Sequence, residues 1–238
     1  MEGKVTISFT GLDAMYHRMQ EHNEDSVARK QYLEDLLKAQ IPIASEVEVT
    51  KEPEWNSAEI PLQAEFTVKI PNWASSTGRR ILLPLGIFSK SEKTMFVSSE
   101  RIHPVYFTYP YSERDDVTIE LPPTWQALSM PPAQKQEGNG VLYSMTVEDS
   151  KGALQMKRGL SVDIFILEQS EYPGLHKFFQ SVRSGDEQQI VLQLPAAHEQ
   201  TGRITFDPTP QGQLAFGSDF DASPFYSRTS FAYFPNPF

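Results

Sequence analysis

The chain has 238 residues, with 21 Lys plus Arg against 31 Asp plus Glu, and it contains no cysteine. The missing cysteine excludes disulfide frameworks, thiolate zinc sites, iron–sulfur clusters and cysteine nucleophiles. A formal charge of -10 argues against a nucleic-acid footprint, and 39% hydrophobic with 11% aromatic residues is too apolar for a disordered chain.

The first fifty residues read as strand, helix, helix, strand. Val5, Ile7 and Phe9 alternate with Thr6 and Ser8, the period-two signature of a half-buried strand. Gly11 breaks it. Leu12, Met15, Tyr16 and Met19 then fall at i, i+3, i+4 and i+7 of a helical stretch. Asp25 or Ser26 can cap a second helix whose stripe is Tyr32, Leu33, Leu36 and Leu37. Pro42 stops it, and Val47 and Val49 alternate with Glu46 and Glu48 in another strand.

From residue 58 to 195 the dominant period is two. Leu62, Ala64, Phe66, Val68 and Ile70 face one way, in the clearest amphipathic strand of the chain. Val105–Tyr109 and Val117–Leu121 read as strands separated by a polar turn around Ser112 to Asp116. Gly138-Asn-Gly140 reads as a hairpin-like turn. Leu142–Val147 and Ala153–Lys157 flank a second hairpin turn ending at Gly152, where glycine supplies positive φ. Leu160–Leu167 is a further strand, Glu171–Val182 a short helix with Leu175, Phe178, Phe179 and Val182 at helical spacing, and Gln189–Leu194 a last strand. Residues 203–206 offer one more strand in an otherwise aperiodic tail. The organisation expected is a strand-helix-helix-strand segment over 1–57, a β-sandwich domain over 58–195, and an aromatic, Pro/Gly/Ser-rich tail over 196–238. The fold class is mainly β (α+β): an antiparallel β-sandwich-like domain with a helical N-terminal segment and one later short helix.

Motifs that carry chemistry are scarce. The histidines at 17, 22, 103, 176 and 198 show no ligand spacing, and His17 with His22, five apart, is the one pair worth weighing as a metal site. No Walker loop, Rossmann fingerprint or nucleophile elbow occurs, and Ser89-Lys-Ser-Glu-Lys93 resembles a catalytic Ser-x-x-Lys only superficially. Asp115, Asp116, Asp149, Asp163, Asp219 and Asp221 are the carboxylates to consider for acid/base hydrolysis, with Asp163 reading as a solvated strand residue. No catalytic residue, cofactor or metal is therefore assigned. Trp73 and Trp125 are the candidate ligand-binding residues, because indole rings stack on apolar sugar faces; the competing reading is that each packs an end of the core. The longest apolar stretch, Ile81 to Phe88, is far short of the ~20 residues a spanning helix needs, so no membrane span is expected. Met1 leads straight into a strand with no apolar leader, and the chain reads as soluble and open to being a piece of something longer.

Ile102-His-Pro-Val-Tyr-Phe-Thr-Tyr-Pro-Tyr111, Asp116-Val-Thr-Ile-Glu-Leu-Pro122, Gly140-Val-Leu-Tyr143, Leu154-Gln-Met-Lys-Arg158, Tyr172-Pro-Gly-Leu175 with Phe178-Phe179, and Gln189-Ile-Val-Leu192 occur in a familiar order. Together with Val5 to Arg18 they make residues 1–195 resemble the C-terminal region of bacterial transglutaminase-like proteins, secreted or periplasmic chains that carry domains of unknown function. The catalytic core of that family uses a Cys-His-Asp triad, and no such cysteine is here to inherit the role. The resemblance implies a non-catalytic accessory or interaction domain of an extracytoplasmic bacterial protein, partnered by the transglutaminase-like core of the same polypeptide. The alternative is a carbohydrate- or peptide-binding β-sandwich module, with a peptide or glycan as its ligand.

Overall fold

The computed structural model describes residues 1–193 except 43, 89–94, 123 and 151. The tail expected over 196–238, with Asp219, Asp221 and His198, and the Ser89–Lys93 motif therefore lie outside the described residues.

Strand β1 (Glu2–Phe9) buries Val5, Ile7 and Phe9 on one face, as alternation requires. Helix α1 (Gly11–Gln20) follows, and α2 (Ser26–Gln40) starts where Asp25 accepts a hydrogen bond from the Ala28 amide. Its Leu33 and Leu37 are sealed in the core. Strands β2 (Glu46–Lys51) and β3 (Leu62–Lys69) complete an antiparallel sheet of order β1-β3-β2. β3 pairs with β1 from Phe9↔Leu62 to Glu2↔Lys69 and with β2 on its other edge, so it is the central strand of the N-terminal sheet. Its apolar face is visible locally; its partners are not.

Residues beyond β3 build further antiparallel sheets. β4 (Ser75–Thr77), β5 (Arg80–Pro84) and the two-residue β6 (Val105–Tyr106) precede the long β7 (Tyr111–Glu120). β8 (Gln126–Ser129), β9 (Gln134–Gly138), β10 (Val141–Ser150), β11 (Ala153–Val162) and β12 (Ile166–Leu167) follow. Then come α3 (Tyr172–Asp186) and β13 (Gln189–Gln193). The sheet orders are β7-β11-β10-β9, β4-β5-β13-β8 and a small β12-β6 ribbon. The expected class holds: the chain is mostly antiparallel β with helices in the N-terminal segment and one late in the chain. The buried residues of these sheets and of α3 belong to one continuous core, which includes Tyr143, Phe179 and Val182.

Three strand expectations change, the first being Leu160–Leu167, which is not one strand because β11 ends at Val162 and β12 begins at Ile166. Val105–Tyr109 shortens to β6, and the polar stretch Ser112–Asp116, read as a turn, is the first half of β7. Its Glu113 and Asp115 alternate inward beside Tyr111 and Val117. A strand tolerates carboxylates on its core face only when a cation meets them, and Arg158 does so from β11.

Candidate functional site

Helix α1 is turned opposite to its sequence pattern. Leu12, Met15 and Met19 are 53%, 50% and 68% exposed, whereas Asp13, Ala14 and His17 are buried. The inward polar groups are accommodated locally. His17 Nδ1 is 2.6 Å from the Tyr32 hydroxyl, its ring lies 4.2 Å from that of Phe9, and its Nε2 faces Asp13 Oδ1 at 3.6 Å. Burial pushes the Asp13 carboxyl up to about 7, with a hydrogen bond from Tyr109 pulling the other way. Burial likewise pushes the His17 imidazole down to about 4. The pair is thus a neutral acid beside a neutral base in mildly acidic solution, and with His17 sealed it presents nothing to a substrate. What it does is hold α1 by its polar side, so that an apolar, methionine-rich face is left outward. Sequence periodicity locates this stripe, and the tertiary structure sets its environment.

His22 is exposed in the turn after α1 while His17 is sealed, so the two are not brought together as a metal pair. Among the described residues no group of three or more His, Asp or Glu is disposed to hold a metal ion.

Trp73 and Trp125 are both half-buried and packed against the core. The register separates them. Trp73 precedes Ser75, which pairs with Leu82, then Val191, then Ser129, across the sheet; Trp125 precedes Gln126, at the other end of that ladder and on the opposite edge strand. With strands ~4.8 Å apart and ~3.3 Å per residue, the rings sit at diagonal corners roughly 20 Å apart. The register does not bring the two tryptophans together.

The carboxylates weighed for hydrolysis divide similarly. Asp149 and Asp163 are exposed on separate strand ends, and Asp116 binds the Gln155 amide at 3.2 Å. Asp115 joins Glu113 and Asp186 around Arg158, all buried. Arg158 contacts all three carboxylates from within the core.

Two open cavities are lined by described residues. One, of about 480 Å³, runs between β9 and α3 and is floored by Val141, Leu175 and Phe178. The other, of about 670 Å³, lies in the loop before β6 and is lined by Ser99, Glu100, Arg101, His103 and Gln169 among others. That volume falls in the ~300–1,000 Å³ range of small-molecule sites. Of these residues the sequence marks His103 by type, and the spacing of the others forms no motif.

No curated protein and no solved structure matches the chain significantly. Residues 79–192, from the edge of β5 almost to the end of β13, match the family model described as "Domain of Unknown Function with solved-structure structure (DUF3858)", a stretch that contains the Arg158 cluster, the Arg101 loop and α3.

Proposed function

We propose that the chain is a non-catalytic accessory domain that packs, through α1, on the transglutaminase-like core of an extracytoplasmic bacterial protein. The observation that carries this reading is the outward face of Leu12, Met15 and Met19 on a helix whose polar residues point inward. Water penalises such a face, and a flexible, polarisable methionine surface suits contact with another protein. The ordered resemblance across residues 1–195 supplies the identity of the partner and the compartment. A sugar platform on Trp73 and Trp125 has no joint surface in its favour.

A photo-crosslinking residue placed at Met15 or Met19, in the protein expressed from its own gene, tests this. Crosslinked peptides from a transglutaminase-like core are expected at both positions. Val27, which is 79% exposed on α2, is the control. Labelling at 15 and 19 no stronger than at 27, or directed to an unrelated partner, overturns the reading.

A further inference from the structure

The loop carrying Arg101 is held by side chains that lie outside it. Arg183 of α3 donates from Nη1 to the Met95 carbonyl at 2.8 Å, the Tyr172 hydroxyl donates to the Ser98 carbonyl at 2.5 Å, and Gln169 Nε2 donates to the Arg101 carbonyl at 3.0 Å. Phe96 adopts φ +50, a left-handed conformation costly for a bulky side chain, and its ring packs 4.8 Å from that of Phe179. Strain of this kind persists only where the surroundings over-determine it, and here they fix one guanidinium. Arg101 lies 5.7 Å over the Phe96 ring and 5.6 Å over that of Tyr172.

Most arginines of known contact in this chain spend their hydrogen bonds internally. Arg158 serves three carboxylates, and Arg18, Arg29 and Arg183 bond backbone carbonyls. Arg101 makes ring contacts, and among the described residues no carboxylate pairs with it. A cation seated over two rings, with no carboxylate partner among the described residues and lining a cavity of about 670 Å³ in a chain of net charge -10, is arranged for an anion from outside. The fork of donors on a guanidinium matches a carboxylate. Glu100 lines the same cavity and repels multiply charged anions such as phosphate, while offering a partner to an ammonium group. Ile102, 86% exposed at the rim, provides apolar contact.

We propose that this cavity binds the carboxylate end of an apolar amino acid or peptide, with Arg101 as the carboxylate-binding residue. The site is separate from the α1 face and does not depend on its role.

Calorimetric and NMR titrations of the chain with L-leucine, N-acetyl-L-leucine, L-leucinamide and inorganic phosphate test the assignment. Saturable binding of either carboxylate probe is expected, with amide shifts at Ser99, Arg101 and Gln169. Preference for free leucine marks an amino-acid site using Glu100; preference for the acetylated form marks a peptide terminus. R101M, whose melting temperature should match the parent because the side chain is exposed, should weaken binding about tenfold or more. No binding by either carboxylate, equal binding of leucinamide or phosphate, or affinity unchanged in a folded R101M overturns the proposal.

Discussion

Arg158 grips Asp186 with both arms of its guanidinium: Nε donates to Oδ1 at 2.8 Å and Nη2 to Oδ2 at 2.9 Å, with both side chains almost wholly buried. The bond ties the last residue of α3 to the middle of β11. Around it, the Tyr143 hydroxyl donates to Asp186 Oδ1 at 2.9 Å, and Glu113 and Asp115 approach Arg158 Nη1 at 3.4 and 3.6 Å. Burial, and secondly the negative Asp186, push the Tyr143 hydroxyl well above its ordinary pKa, so it stays a donor.

Removing Asp186 leaves Arg158 buried without its bidentate partner. Asp186→Ala should cost about 3–5 kcal/mol, the usual penalty for breaking a buried pair. Urea denaturation followed by circular dichroism measures it; a loss under about 1 kcal/mol would mean that Glu113 and Asp115 suffice to hold the arginine.

Glycines 174 and 185 lie in the same helix and should respond with opposite sign. A Cβ at Gly174 meets nothing within 4 Å, so Gly174→Ala should stabilise by roughly 0.4–1 kcal/mol through the unfolded state. A Cβ at Gly185 would overlap the Tyr143 hydroxyl and lie 2.8 Å from Gln134 Oε1. Gly185→Ala should therefore lose about 1–3 kcal/mol despite its better helix propensity. Melting temperatures of the two variants settle the contrast, and a stabilised Gly185→Ala would show that the sheet and α3 are not so closely joined.

The buried pair on α1 makes a signed pH prediction. Asp13 is raised from 3.8 to about 7, so between those values the folded chain holds a proton that the unfolded chain has released, and stability falls as pH rises. His17 is lowered from 6.5 to about 4, so over that window the unfolded chain holds the extra proton and stability rises with pH. The two slopes oppose each other below pH 6.5. Asp13→Asn removes the falling one. Its stability relative to the parent should grow steadily from pH 4.5 to about 7 and then level off. Urea melts at intervals across that range check it, and a difference independent of pH would refute the buried, proton-retaining Asp13.

The outward stripe of α1 should be dispensable for folding. Met15→Lys with Met19→Lys should change stability by no more than about 0.5 kcal/mol, as at other exposed positions. A loss of several kcal/mol by thermal unfolding would place those methionines in the core, as their spacing alone suggests.

That spacing marks the boundary of what sequence reading achieves here. Apolar alternation found β1 and β3, helical spacing found α2 and α3, and Gly152, at φ +93, sits in a turn where positive φ was expected, as Gly140, at φ +71, sits in the turn read around it. The candidate ligand residues Trp73 and Trp125 were identified by type, yet their distance from one another depends on the register of four strands. Arg101 carries no motif, and its two aromatic supports come from Phe96 nearby and Tyr172 far along the chain.

The missing cysteine leaves the chain no thiol chemistry, and local periodicity established a mostly antiparallel β chain with helices early and late. Only the tertiary structure decided that β3 belongs between β1 and β2, that Ser112–Asp116 is strand, and that α1 shows its apolar side to solvent. The physical reason is common to all three. Alternation and helical period report that a segment has two faces, whereas the partner that covers each face comes from elsewhere in the chain. Arg158 makes acidic residues of β7 acceptable inside, and Tyr32 and Tyr109 do the same for His17 and Asp13.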